Sequence, residues 1–178
     1  MVEPFPSEGA ADEAALVAAA REGDRASFEA LYRRYAPMVH AIALGQLDRS
    51  EAGDLVQDVF ERALKGLRWL RDSGAFGGWL ANIARNRARE LVRSRRPHQP
   101  QGESVTGSTP AVEAEAAEAL AAIRALPEAY RETLLMRLCE GMSGPEIAAR
   151  TGLAEGSVRV NLHRGMALLR ERLEGRSR

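Results

Sequence analysis

The stretch SGPEIAARTGLAEGSVRVNLHRGMALLRERL, residues 143–173, constrains the fold more than any other part of the chain. Ser143 and Glu146 have the S-x-x-E spacing of a capping box, in which each side chain takes a backbone N–H of the other. Pro145 falls in the first turn, where a missing N–H costs little. Ile147 and Ala148 begin an apolar stripe. Gly152 stands where the chain must turn through positive φ or a close backbone approach, and Leu153 follows as the expected plug of the corner. A second helix is predicted from about Glu155 to Leu173, with Val158, Leu162, Met166, Leu169 and Leu173 at helical spacing on one side. This is a helix-turn-helix.

The other side of the second helix gives the motif its chemistry. At about 100° per residue, Gly156, Val160, His163 and Arg164 point away from the apolar stripe, with Arg159 on the flank. Arginines hold phosphate or a guanine edge, a small residue permits close approach, and an apolar side chain can touch a thymine methyl. A solvated basic face on an ordinary helix hairpin is the plain alternative. The capping box, the glycine turn and the outward valine together favour a reader of duplex DNA.

Charge supports a polyanionic partner through its distribution, since 25 basic and 25 acidic residues balance over the 178. Residues 82–96 carry six Arg against Glu90 alone, and residues 157–178 carry six Arg against Glu171 and Glu174. Residues 1–30 carry seven acids against Arg21 and Arg25. Two basic patches separated by acidic stretches suit an extended nucleic acid and leave other surfaces for a mixed or basic partner. The single cysteine, Cys139, excludes an internal disulfide and a cysteine-based zinc site, and its apolar neighbours predict a packed thiol. No apolar run approaches membrane-spanning length and no signal sequence opens the chain, so membrane insertion is not expected and a cytoplasmic location is.

Every periodic segment has a period near 3.6, and none alternates with period two, which predicts an all-α protein. A helix is expected over 12–22. Another follows from about Ala26, with Phe28, Leu31, Tyr32, Tyr35 and Val39 on one face and Pro37 as a kink or a stop. Residues 51–67 place Val56, Val59, Phe60, Ala63 and Leu67 together. Residues 68–75 form a loop. Residues 76–96 align Phe76, Trp79, Leu80, Ile83, Ala84, Ala88 and Leu91. Opposite them, Asn82, Arg85, Asn86, Arg89 and Arg93 recur at three- and four-residue steps, a row suited to a nucleic-acid backbone. Residues 97–112, PHQPQGESVTGSTPAV, lose all periodicity and read as a flexible linker. A second helical block resumes near Val112, with a break at Leu126-Pro127. Each block is just large enough to bury its own core. The expected organisation is a tail and short helix over 1–25, a helical domain over 26–96, the linker over 97–112 and a helix-turn-helix domain over 113–178.

In order and spacing, DLVQDVFERAL at 54–64, FGGWLANIARNRARELVRSRR at 76–96 and LPEAYRETLLMRLCEGMSGPEIAARTGL at 126–153 resemble the two conserved regions of an extracytoplasmic-function sigma factor of bacterial RNA polymerase. The resemblance covers residues 26–96 and 112–173. It implies two small domains, of the region 2 and region 4 types. Asp54, Gln57, Asp58 and Glu61 match the surface that docks on the β′ coiled coil, and the β subunit is a further implied contact. Trp69, Arg71, Asp72 and Ser73 fall in the loop that takes a base flipped from the minus-ten element, where aromatic surface and edge hydrogen bonds are needed. Asn82, Arg85, Asn86, Arg89 and Arg93 match the helix lying on minus-ten DNA. Gly156, Ser157, Arg159, Val160, His163 and Arg164 would enter the major groove at the minus-thirty-five element. The resemblance further implies core polymerase, promoter DNA and an anti-sigma protein as partners, with no cofactor and no catalytic centre. Ala154, Asn161 and Gly165 depart from common family residues, and Gly165 carries a helix-propensity cost of roughly 1 kcal/mol relative to Ala.

Two other classes compete with this reading. A conventional helix-turn-helix regulator has no need of an Arg row beside a docking segment. An enzyme would need a catalytic constellation, yet His40, His98 and His163 are scattered and Gly74, Gly77 and Gly78 follow no strand. Asp54, Asp58 and Glu61 could share a face around a metal, but a docking or solvated face accounts for them more simply.

Overall fold

The computed structural model describes residues 8–94 and 110–176, and among them every regular element is helical. The helices are α1 (Glu8–Arg21), α2 (Arg25–Leu44), α3 (Arg49–Gly66), α4 (Phe76–Ser94), α5 (Pro110–Arg124), α6 (Glu128–Leu138), α7 (Gly144–Thr151) and α8 (Glu155–Arg176). Two 3-10 turns, Leu67–Trp69 and Ser73–Ala75, occupy the expected loop between α3 and α4. Most of the predicted linker lies outside the described residues, but its last three do not: α5 begins at Pro110, where a proline suits a first turn.

Side-chain caps fix where the helices start. The Asp24 carboxylate accepts from the amides of Ala26 and Ser27, and Asp48 with Glu51 forms a reciprocal capping box on α3. Ser143 and Glu146 do the same on α7, as their spacing predicts. Gly152 ends α7 with φ 74°, a left-handed conformation, and no atom crowds the position where a Cβ would sit. Gly152→Ala is therefore expected to cost roughly 1–2 kcal/mol through backbone strain alone, and Gly152→Asn less, as read by urea unfolding.

Pro37 neither ends nor interrupts α2. It leaves the Arg33 carbonyl without its helical N–H, and Arg33 is exposed, so water can take that place. The remaining cost is offset by burial, because Leu31, Tyr35, Met38, Val39 and Ala41–Leu44 are all buried. Four consecutive buried residues mean that the end of α2 is covered on every side. On one side, α1, α3 and α4 pack over it. On the other lie α6 and α7 of the second domain. The two helical domains thus sit against each other, and one apolar cluster runs from Val17 through Phe60 and Phe76 to Leu134, Ile147 and Leu169. Each block is just large enough for a core of its own, and the sequence leaves open whether the two touch; here they share a seam.

Three local expectations are corrected. Cys139 is exposed at the end of α6, because the helix stops there and turns its last residues outward. Leu153 is 40 % exposed and does not plug the corner. Met166 is also partly exposed, and Gly165 is buried in its place. A Cβ at Gly165 would lie 3.1 Å from the Leu134 side chain, so the residue that weakens α8 lets it approach α6 closely.

Candidate nucleic-acid interface

The α3 surface is set by its buried side. Leu55, Val56, Val59 and Phe60 face the core, which leaves Asp54, Gln57 and Glu61 exposed. Asp58 differs from them. Its carboxylate accepts from Arg87 of α4 and, at 3.1 Å, from Arg62. Partial burial pushes the Asp58 carboxyl up, but the hydrogen bonds from Arg87 and Arg62 outweigh it and hold the group below its ordinary value. Asp58 therefore ties α3 to α4 at the edge of the outward acidic face. Among the described residues no group of three or more His, Cys, Asp or Glu is placed to hold a metal.

The turn region after α3 presents Trp69, 72 % exposed, with the Arg68 guanidinium 4.8 Å above its ring. The ring is thus outside the core and already bears a cation on one face. Arg71 and Asp72 are exposed and Ser73 is half-buried. Asp72 caps the second turn by accepting from the Gly74 amide at 2.9 Å. The sequence reading missed Arg21. From the end of α1 its guanidinium donates to the Leu70 carbonyl and pins the stretch that carries Trp69. A lone basic residue at a helix end gives no sign of such a distant acceptor.

On α4, burial of Phe76, Leu80, Ala81, Ala84 and Ala88 turns the predicted row outward, and Asn82, Asn86 and Arg93 are exposed at its surface. Two of its arginines pair with α6: Arg85 is largely covered there, whereas Arg89 remains exposed. Arg85 donates through Nε to both oxygens of Glu132, at 2.9 and 3.1 Å, and through Nη2 to Oε2 at 2.8 Å. Arg89 Nη2 lies 3.0 and 2.8 Å from the two oxygens of Glu128. The hydrogen bond to Glu132 raises the Arg85 pKa above its ordinary value, and the one from Arg89 holds the Glu128 carboxyl below its own. Glu132 is buried, so its charge depends on Arg85 for compensation.

The outer face of α8 is unobstructed. Gly156, Ser157, Arg159, Val160, His163 and Arg164 are all exposed, and no ion pair among the described residues engages Arg159 or Arg164. Val158 and Leu169 hold the opposite side in the core. The structure therefore offers one open basic face on α8 and one partly covered row on α4, with an exposed indole ahead of that row.

Comparison with known proteins agrees with this arrangement. Residues 31–98 match the family description "Sigma-70 region 2", and residues 116–169 match "Sigma-70, region 4". The RNA polymerase sigma factor CarQ of Myxococcus xanthus is 32 % identical over 162 residues, covering 86 % of this chain and 92 % of CarQ. The probable RNA polymerase sigma factor RfaY of Xanthomonas campestris is 34 % identical over 149 residues, covering 76 % of this chain but only 37 % of RfaY. Among solved structures, CnrH in complex with the cytosolic domain of CnrY aligns with a TM-score of 0.62 at 28 % identity, covering 92 % of this chain and 98 % of that one. With both sigma-70 regions in order and a relative matched over nearly its whole length, the chain belongs to the extracytoplasmic-function sigma factors, which serve RNA polymerase in transcription initiation.

Proposed function

We propose that the chain docks on core RNA polymerase through the outward face of α3 and reads a promoter with two surfaces. Asp54, Gln57, Asp58 and Glu61 form the polymerase contact, with Asp58 also bracing α4. Trp69, Arg71, Asp72 and Ser73 receive an unstacked base of the minus-ten element, and Asn82, Arg85, Asn86, Arg89 and Arg93 follow its backbone. Gly156, Ser157, Arg159, Val160, His163 and Arg164 enter the major groove at the minus-thirty-five element. The factor has no catalytic centre of its own and works in the cytoplasm. The observation that carries this reading is the open basic face of α8 behind the left-handed Gly152 turn, in one chain with an exposed Trp69 at the head of the α4 row. Because CnrH is held by the cytosolic domain of CnrY, we infer a protein partner of the anti-sigma kind here as well.

Run-off transcription with purified core polymerase and genomic promoter fragments tests the function. Transcripts that need this protein and share two spaced upstream elements are expected. A specific shift of duplex DNA by the protein alone, without polymerase binding, would instead indicate a conventional regulator. Trp69→Ala should reduce open-complex formation by roughly 5- to 150-fold, the range set by about 1–3 kcal/mol of base stacking. Permanganate reactivity of the melted strand reads that loss. Thermal stability should not change, since the ring lies outside the core.

A further inference from the structure

The core does not hold the exposed Trp69 ring, so its position depends on the backbone on either side. That backbone consists of two small turns. The Leu70 amide donates to the Leu67 carbonyl at 3.1 Å, and the Ala75 amide donates to that of Asp72 at 3.1 Å. At the joint between them Leu70 and Asp72 are both extended, with ψ 110° and 111°. Leu70 is buried, and alternation turns Arg71 outward. The joint is held from outside its own segment, for Arg21, 49 residues earlier, donates to the Leu70 carbonyl through Nη2. Arg21 stands on a secured helix. Val17 and Ala20 are buried beneath α1, and the buried Glu13 carboxylate accepts from the Tyr35 hydroxyl. Gly23 turns the chain at φ 95°, and Asp24 caps α2 directly after it. α1 also packs on both turns of the Trp69 segment. With these contacts α1 needs no further anchor, yet Arg21 Nε is buried without a hydrogen-bond partner. A buried donor left unpaired is costly, and securing α1 does not require that cost. Fixing the Leu70 carbonyl does.

We propose that Arg21 is a positioning residue for base capture: its bond to the Leu70 carbonyl sets the Leu70–Arg71 peptide, so that α1 presents Trp69, Arg71 and Asp72 as an unstacked base needs them. The inference rests on the assignment of Trp69 to a minus-ten base and adds what holds that residue in place beforehand. A segment ordered in advance spends no binding energy on its own ordering when the base arrives. The indole has the Arg68 guanidinium 4.8 Å over one face, which leaves its other face for the base. In this role Arg21 acts through the backbone of the residues that meet the base. α1 is thereby part of promoter recognition as well as of the packing of the first domain.

The test uses the full-length protein with core polymerase. Arg21→Met keeps an unbranched stem and removes the donor. Circular dichroism confirms folding, and a pull-down reads polymerase binding. Open complexes, read by permanganate, should fall about tenfold with polymerase binding unchanged, the scale of one lost hydrogen bond. In a Trp69→Ala background the same substitution should cost about threefold or less, because the residue it positions is gone. A general loss of stability would add in full. The second readout needs no DNA. In a Trp79→Phe background Trp69 is the one indole left of the two in the sequence. Its anisotropy decay in the free protein should show wider and faster local motion once Arg21→Met is added. Additive losses in the cycle would overturn the proposal, as would an indole no more mobile in the free variant, the result expected if Arg21 touched DNA directly. Should Arg21→Met fail to fold, Arg21→Gln takes its place in both measurements, since its amide stays polar but stops two bonds short of Nη2. Trp69→Ala without effect on open complexes would sink the base-capture reading and this role with it, whereas an effective Trp69→Ala with an additive Arg21→Met sinks the positioning role alone.

Discussion

Phe76→Ala is expected to lower the unfolding free energy by about 3–5 kcal/mol, the range for emptying a fully packed aromatic site. Phe76 is fully buried at the first residue of α4, edge-on to Tyr35 with centroids 5.0 Å apart, and 5.9 Å from the Trp79 ring. Tyr35 can retreat little, because its hydroxyl donates to the buried Glu13 carboxylate of α1. Truncation therefore leaves a cavity with rigid walls where α1, α2 and α4 meet. In a chain of this size the melting midpoint should fall by roughly 6–20 °C. Differential scanning calorimetry measures it, and a fall of only a degree or two would mean that the rings repack.

The largest functional loss is expected on α8. Arg159→Ala combined with Arg164→Ala should reduce initiation at promoters that depend on the minus-thirty-five element by about two orders of magnitude, since a good base or phosphate contact is worth about 1–3 kcal/mol. Both side chains are exposed on the face opposite Val158 and Leu169, so folding and polymerase binding should be unaffected. Run-off transcription paired with a polymerase pull-down separates the two. Equal loss in both would remove α8 from the role assigned to it. Replacing both residues by lysine should restore affinity more than sequence discrimination, because an ammonium neutralises phosphate without presenting a planar fork to guanine.

The local architecture was legible in the sequence wherever one residue's neighbours determine its conformation. Ser143 and Glu146 announce their capping box three residues apart, Gly152 announces its left-handed turn, and Val56, Val59, Phe60, Ala63 and Leu67 reveal the inner face of α3 by spacing alone. What stayed hidden was set by distant partners. Arg85 and Arg89 look solvent-facing because their helix buries the opposite side, and nothing near them marks Glu128 and Glu132 as the residues they meet. Cys139 looks apolar by context and lies outside because α6 ends beneath it. One signal of the seam was available: the run Ala41–Leu44 is apolar on every side of its helix, which three first-domain neighbours cannot fully explain. The candidate DNA face of α8 was legible because it depends on one helix alone. That of α4 was legible in its residues but not in its occupancy.

The seat between α2 and α7 also has a consequence in time. The ribosome delivers α4 well before α7, and at roughly 5–20 residues per second it needs several seconds to run from Ser94 to Thr151. During that interval the nascent chain has an Arg85 without its Glu132 partner and an α2 whose apolar end lacks the neighbours that α6 and α7 supply. The newborn protein is therefore at its most adhesive before it is finished, and it can close on itself only after α8, whose Val158 and Leu169 join the same core, has followed α7.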